Sequence, residues 1–380
     1  MRVPATAPPH PGTGDALAFA RMNDFRPGLE GVVAFETEIA EPDKEGSALR
    51  YRGVDIEDLV GAYPFEQVWG LLVDRSFEPG MPRAERIALQ DPSGSVMADL
   101  QAALATLGAK WGLGQLVDID PEQARDDLAR LSAATLSIVA QAARGAGKPP
   151  VPESAVEQGE NAAAQFLIRW RGEADPRHVR ALDTYWVSAA EHGLNSSTFT
   201  ARIVASTGAD CAAAMSSAVG ALSGPLHGGA PTRVLRMLDE VEELGDADRY
   251  VRDLLDRGER IMGFGHRVYR AEDPRARVLR RTAQELGSKR VEVAQALEEA
   301  ARAALREKSP DRVLETNVEF WAAVVLELAD IPPDLYPPMF GCARVAGWSA
   351  HIVEQRRTGR LIRPSARYVG PPAHSPAEAV

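Results

Sequence analysis

Cysteine is scarce in this chain of 380 residues, and its scarcity excludes two kinds of scaffold. The only two cysteines, Cys211 and Cys342, are far apart, and no CxxC pair occurs. A disulfide framework and a zinc ribbon both need more cysteines at closer spacing. The cysteine content therefore fits a protein of a reducing compartment, and we expect a cytoplasmic location.

Basic residues and long apolar runs are also lacking. The formal net charge is −11, so the basic surplus of a nucleic-acid-binding face is missing. No apolar run approaches the roughly 18 residues of a membrane helix. Residues 1–26 lack the apolar segment of a signal peptide and are predicted to form a loose tail. We therefore expect no nucleic-acid partner and no membrane partner.

What the chain does contain is mainly helical signal. Three Asp-Pro dipeptides predict helix starts, because aspartate caps a helix and proline fits its first position. They are Asp120-Pro121, Asp175-Pro176 and Asp273-Pro274. Apolar spacing predicts three further helices, from Pro231 to Gly245, over Glu315–Ala329 and over Met339–Arg357. A proline-rich turn, Ile331–Pro338, separates the last two.

One stretch near the N-terminus carries β signal. Side chains alternate with a period of two in Val33–Ile39 and again in Leu49–Gly53, on either side of the turn-like Glu41–Gly46. This pattern is typical of a β-hairpin. The fold class is therefore predicted to be mainly α with a small N-terminal hairpin.

Two histidines lie in glycine-rich backbone. His227 is followed by Gly228 and Gly229, and His266 follows Gly263-Phe264-Gly265. Such glycines allow a positive φ or the close approach of a ligand, and imidazole transfers protons near neutral pH. The ordinary alternatives are a satisfied buried histidine at 227 and a plain turn at 266.

The glycines around His266 do not form a known nucleotide-binding loop. A dinucleotide fingerprint would need a sixth-position glycine where Val268 stands, and no GK[ST] triplet exists. The favoured interpretation is an anion-binding loop, because four arginines follow: Arg267, Arg270, Arg275 and Arg277. The helix predicted at Pro231 would likewise offer free N–H groups to an anion near His227.

Glu319 lies among apolar residues, a setting that raises the pKa of a carboxylate and makes it a stronger base. Taken alone, a solvated glutamate on a helix face is the more ordinary interpretation. The same holds for His192 as a helix end and for Arg344 and Arg363 as surface arginines.

Together these segments resemble the citrate synthase family, from Tyr51–Leu59 to Arg363-Pro364. The motifs that carry the resemblance are Gly224–Ala230, Gly263–Arg275 and Asn317–Phe320, and Pro231 and Glu319 resemble the short actinobacterial kind. The resemblance implies a two-domain helical fold. It places residues 27–229 and 335–380 in a large domain and residues 230–334 in a small one.

The family condenses acetyl-CoA with oxaloacetate and hydrolyses citryl-CoA, with no metal and no cofactor beyond the coenzyme A thioester. The resemblance implies three catalytic residues. His227 stabilises the enol, His266 protonates the ketone, and Glu319 takes the methyl proton where the family usually has aspartate. The extra methylene shifts the carboxylate, and a misplacement of ~1 Å can lower the rate about 10²-fold.

The resemblance also implies the binding residues. Oxaloacetate is expected to contact His192, Arg275 and Arg344, with Arg363 supplied across the interface of a homodimer. Coenzyme A is expected at Arg270 and at the backbone of Gly263, Phe264 and Gly265.

Three alternatives stay open. The first is a 2-methylcitrate synthase that uses propionyl-CoA. The second is a metal-dependent enzyme with His227, His266 and Glu319 as a two-histidine, one-carboxylate site. The third is a helical scaffold without catalysis.

Overall fold

The computed structural model describes residues 25–43, 48–89, 92–227, 231–265, 269 and 271–373. The chain divides into two units, Met1–Glu38 and Ile39–Val380. In the described part of the first unit the regular structure is the 3-10 helix Pro27–Leu29. The predicted tail, residues 1–26, lies almost wholly outside the described residues. The predicted division into a large and a small helical domain stays a prediction.

The second unit is mainly helical, as predicted. In its described residues the first eight helices are α1 (Ile56–Leu59), α2 (Phe65–Asp74), α3 (Val96–Trp111), α4 (Pro121–Arg144), α5 (Glu153–Val156), α6 (Ala162–Arg171), α7 (Pro176–Ala189) and α8 (Ser196–Ser206). The next seven are α9 (Cys211–Leu222), α10 (Pro231–Leu244), α11 (Ala247–Asp256), α12 (Pro274–Glu285), α13 (Val291–Lys308), α14 (Val318–Leu328) and α15 (Tyr336–Thr358). The 3-10 helix Pro333–Leu335 directly precedes α15.

The three Asp-Pro helix starts are confirmed. Helices α4, α7 and α12 each begin at the proline. Each preceding aspartate accepts a hydrogen bond from a backbone N–H two or three residues later, at 2.7–3.0 Å. The predicted end of α10 is also confirmed, because Gly245 adopts a φ of 71° there.

Two helix starts differ from the prediction. Helix α14 begins at Val318, after the predicted Glu315, because the side chain of Asn317 caps it by accepting from the N–H of Glu319 at 3.0 Å. Helix α15 begins at Tyr336, before the predicted Met339. Its two prolines lie in the first turn, where a missing N–H breaks no helical hydrogen bond. The end of the predicted proline-rich turn is therefore helical.

The β-hairpin exists, but its first strand was misplaced. Strands β1 (Ala40–Asp43), β2 (Ala48–Tyr51) and β3 (Val54–Asp55) form one antiparallel sheet in that order. Glu41 lies opposite Arg50, and their side chains pair at 3.0 Å. Cross-strand pairing of this kind places polar residues in a strand that alternation alone assigned to the turn.

Two helices organise the core around the site. Helix α15 packs against α2, α4, α7, α8 and α9, whereas α14 packs against α7, α10 and α12. Because α7 contacts both, the three helices meet. The largest buried side chains include Trp69, Trp186, Trp321 and Trp348. Within the described part of the chain, no helix is long and apolar enough to cross a bilayer.

Candidate active site

A cavity of about 190 Å³ lies where α7, α14 and α15 meet. Five residues predicted for the site line it: His192, His227, Arg275, Glu319 and Arg344. The other lining residues are Tyr185, Ala189, Asn195, Asn317, Val318, Ala322, Tyr336 and Phe340. The fold therefore gathers into one cavity most of the polar side chains that the sequence singled out.

The remaining predicted residues lie elsewhere or are not described. Gly263, Phe264 and Gly265 are described but do not line the cavity. Arg363 is exposed in the segment after α15 and does not line it either. His266 and Arg270 lie outside the described residues. The roles predicted for all these residues stay predictions.

The hydrogen bonds of His227 fix where its proton lies. The backbone N–H of Ser197, in the first turn of α8, donates to Nε2 of His227 at 3.3 Å. Because a backbone N–H can only donate, Nε2 is the acceptor and the ring proton is on Nδ1. Burial, aided by the charge of Arg344, lowers the pKa of His227 to about 4. The imidazole is therefore a neutral Nδ1–H donor at physiological pH.

His192 is oriented by two tyrosines. Its Nε2 lies 2.9 Å from the hydroxyl of Tyr269. The N–H of Glu191 donates to the hydroxyl oxygen of Tyr51, on β2, at 3.2 Å, and this hydroxyl donates to the Glu191 carbonyl at 3.0 Å. The sheet thus fixes the turn that carries His192 into the cavity.

Arg275 is held by the aspartate that caps its own helix. Asp273 accepts from the backbone N–H of Arg275 at 3.0 Å, from its Nε at 2.9 Å and from its Nη2 at 2.7 Å. Both side chains are buried. Burial alone would lower the pKa of Arg275, but the charge and hydrogen bonds of Asp273 raise it overall. A permanent cation is therefore fixed at the start of α12.

Arg344 is a buried cation with unused donors. Its side chain is 2% exposed, and its Nε and Nη1 have no hydrogen-bond partner among the described residues. The guanidinium lies 4.7 Å from the ring centre of Phe340. Burial lowers its pKa, although arginine remains charged in proteins. Such a group is suited to bind an anion, which would restore the missing hydrogen bonds.

Glu319 is a half-buried carboxylate in the first turn of α14. Burial raises its pKa, and the charge of Arg275 opposes that rise only in part. The cap at Asn317 fixes its backbone. The prediction of a carboxylate with raised basicity therefore agrees with its setting.

The glycines before His266 are explained by packing against α14. The N–H of Asn317 donates to the Gly263 carbonyl at 2.9 Å, and its Nδ2 donates to the Gly265 carbonyl at 3.0 Å. Gly263 has a φ of 83°, and a Cβ there would lie 2.8 Å from the Cβ of Phe320. The segment is therefore built to lie directly against the start of α14, next to Glu319.

The sequence did not reveal several residues that shape the site. Asp273 was recognised as a helix cap, but its ion pair with Arg275 was missed, although the two-residue spacing allowed it. Ser197, which donates to His227, and Asn195, which lines the cavity, were not assigned to the site. Tyr269 carried no signal, because its contact with His192 joins distant parts of the chain.

The metal-site alternative is untested. Among the described residues, no group of three His, Cys, Asp or Glu side chains lies close enough together to hold a metal ion. His266, one of the three proposed ligands, is not among them, so that alternative stays a prediction.

Comparison with known proteins identifies relatives that match nearly the whole chain. The family model described as "Citrate synthase, C-terminal domain" matches residues 28–365. The chain is 62% identical to a putative citrate synthase 2 of Mycobacterium tuberculosis, over 93% of this chain and 95% of the relative. It is 36% identical to the citrate synthase of Haloferax volcanii, over 91% and 96%.

Solved structures show the same fold. A ternary complex of carboxymethyl coenzyme A and oxaloacetate with citrate synthase from Thermoplasma acidophilum superposes with a TM-score of 0.79 at 26% identity. The match covers 93% of this chain and 99% of that one. Citrate synthase from Pyrobaculum aerophilum gives a TM-score of 0.78 at 29% identity, over 93% and 95%. The chain therefore belongs to the citrate synthase family of enzymes.

Proposed function

We propose that the chain condenses acetyl-CoA with oxaloacetate and hydrolyses the resulting citryl-CoA. One observation carries the proposal: a neutral imidazole donor, a carboxylate of raised pKa and a buried guanidinium with unused donors line one cavity. The solved Thermoplasma acidophilum relative holds a coenzyme A analogue together with oxaloacetate.

The first step is removal of a methyl proton from acetyl-CoA by Glu319. A thioester methyl is a weak acid, so negative charge that develops on the carbonyl oxygen must meet a donor already in place. His227 meets that need through Nδ1–H. Because its pKa is about 4, it donates as a neutral group and keeps its proton.

The enol carbon then attacks the ketone carbon of oxaloacetate. Arg344 and Arg275 supply the positive charge that the two carboxylates need, and His192 supplies a further polar contact. His266 is proposed to give a proton to the ketone oxygen as the carbon–carbon bond forms. Water then hydrolyses the thioester and releases coenzyme A, which we propose to contact Arg270 and Gly263–Gly265.

We further propose that the enzyme works as a homodimer in the cytoplasm. Arg363 would enter the site of the partner subunit. Its own segment exposes three large apolar side chains, Leu361, Tyr368 and Val369. Such a concentration of exposed apolar groups favours a protein contact over open solvent.

A thiol-release assay with acetyl-CoA and oxaloacetate tests the function. Wild type is expected to release coenzyme A only when both substrates are present. Treatment with a chelator is expected to leave the rate of release unchanged. Glu319→Gln is expected to lose about 10²–10⁴ in kcat, because it cannot accept the proton. Glu319→Asp measures the effect of the extra methylene.

Glu327→Gln is the matched control. Glu327 lies on the same helix but pairs with Arg290 at 3.2 Å and does not line the cavity, so near-normal activity is expected.

Full activity of Glu319→Gln would overturn the assignment of the base. No release by wild type would favour the scaffold alternative, and loss of activity on chelation the metal alternative. Faster turnover of propionyl-CoA would favour a 2-methylcitrate synthase.

A further inference from the structure

A second buried carboxylate lies beside the cavity and has no role in the chemistry above. Glu191 directly precedes His192, and its side chain is completely buried. No described residue donates a hydrogen bond to either of its carboxylate oxygens. Burying a charge in this way is costly unless an opposite charge lies near. Burial lowers the pKa of Arg344 and the negative charge of Glu191 opposes that lowering, so Glu191 acts as a buried counter-charge to this cation.

Helix α15 is shaped to receive this carboxylate. Arg344, Gly347 and His351 follow one another at spacings of three and four residues, so they share one face of the helix. A Cβ at Gly347 would collide with Oε2 of Glu191 and would lie 2.6 Å from the Ala190 carbonyl oxygen. The absence of a side chain at 347 therefore lets Glu191 lie against the helix, between Arg344 and His351.

His351 lies against the carboxylate on the other side. Nη1 of Arg202 lies 3.0 Å from Nδ1 of His351. Arginine can only donate, so Nδ1 is the acceptor and the proton of a neutral ring is on Nε2. That Nε2 lies 3.3 Å from Oε1 of Glu191. Arg202 is itself paired with Glu354 at 2.6 Å. A buried ion pair therefore orients the ring of His351, and that ring lies next to Glu191.

We propose that Glu191 is a positioning residue for substrate binding. It holds Arg344 with its unused N–H groups in the cavity, and Gly347 and His351 hold Glu191 where it can do so. The inference rests on the proposed function, in which the anion bound by Arg344 is oxaloacetate.

Two effects of Glu191 oppose each other, and a glycine substitution separates them. Removing the carboxylate frees Arg344 to move, which raises the KM for oxaloacetate. It also removes a negative charge near a dianion, which lowers that KM. Gly347→Ala displaces the carboxylate, together with the Ala190 carbonyl, but keeps its charge, so it tests position and not charge. Gly341→Ala is the control on the same helix, because its Cβ would make only ordinary contacts, 3.6 Å from Leu222 and 3.8 Å from Leu100.

The experiment measures kcat and both KM values for Glu191→Gln, Glu191→Asp, Gly347→Ala and Gly341→Ala. We expect the KM for oxaloacetate to rise about tenfold or more in Gly347→Ala and Glu191→Gln, and less in Glu191→Asp. The KM for acetyl-CoA should stay constant, kcat should change less than the KM for oxaloacetate, and Gly341→Ala should match wild type. An unchanged or lower KM for oxaloacetate in Gly347→Ala and Glu191→Gln overturns the proposal. If Glu191→Gln fails to fold, Gly347→Ala and Glu191→Asp decide in the same way.

Binding without catalysis separates this inference from the proposed function. Oxaloacetate alone should raise the Tm of wild type, because a ligand of the folded state stabilises it. The shift should shrink in Gly347→Ala and persist in Gly341→Ala. A wild type with neither a shift nor thiol release would contradict the proposed function. An active wild type with equal shifts in both variants would contradict only the role of Glu191.

Discussion

At the scale of single residues, the burial that makes Glu319 a stronger base also makes the folded protein less stable once the carboxylate is ionised. Burial raises its pKa above the ordinary 4.5, so the folded chain holds the proton more tightly than the unfolded chain does. The contribution of Glu319 to stability is therefore fully present below about pH 4.5 and is lost as pH rises through the raised pKa. A glutamine at this position carries no charge and undergoes no such loss.

We therefore expect Glu319→Gln to have a higher Tm than wild type at pH 7, and this difference to shrink towards zero at about pH 4. Thermal unfolding followed by circular dichroism between pH 4 and pH 8 measures it. The acid end of the series is the internal control, because both side chains are neutral there. A Tm difference that does not vary with pH would mean that packing, not ionisation, separates the two proteins.

The sequence predicted which residue types line the cavity but not their states. His227 stood out because glycines follow it. The location of its proton depends on the N–H of Ser197, which lies 30 residues earlier in the chain. Glu191 drew no attention, because nothing adjacent to it in sequence shows that Gly347 makes room for its carboxylate. Properties that depend on such distant contacts can be determined only from the three-dimensional structure.

Among the elements, the segment Gly263–Gly265 lies against the start of α14 and accepts two hydrogen bonds from its cap residue, Asn317. Gly263→Ala would force a Cβ against Phe320 at 2.8 Å and displace the turn that carries Glu319. We expect kcat to fall about 10²-fold, the usual effect of ~1 Å of misplacement. Gly258→Ala is the matched control, because Gly258 also has a positive φ, of 73°, but no atom lies within 4 Å of its Cβ position.

The control variant should lose about 1 kcal/mol of stability through backbone strain and keep its kcat. Steady-state kinetics and thermal unfolding of the two variants measure both effects. Equal kcat values would show that the segment does not position Glu319.

The bounds of a helix or strand could be predicted where the contacts that set them join residues close together in sequence. The Asp-Pro helix starts were correct because a cap and its N–H partner lie within three residues. The first strand was wrong because Glu41 depends on Arg50 across the sheet, a contact that alternation along one segment does not contain. The predicted start of α15 lay too far along the chain, because the prolines before Met339 were taken as turn residues. A first helical turn accepts prolines.

For the whole molecule, the order of motifs along the chain carried more information than any local pattern. Composition and periodicity led only to a mainly helical protein. The succession of Gly224–Ala230, Gly263–Arg275 and Asn317–Phe320 led to the family, which comparison with known proteins confirmed. The structure of a single chain does not test the predicted homodimer, because the role predicted for Arg363 is in the site of a second subunit.

Mixed dimers test that assembly. Arg363→Ala and Glu319→Gln should each be nearly inactive when expressed alone. When the two are co-expressed, half of the dimers are mixed, and each mixed dimer has one complete site, made from Glu319 of one subunit and Arg363 of the other. We therefore expect about a quarter of the wild-type activity per subunit, since a two-fold dimer has two equivalent sites. Mixing the two purified variants without subunit exchange is the control and should restore nothing. If Arg363 served its own subunit, each chain would carry one defective residue in its own site, and co-expression would restore no activity.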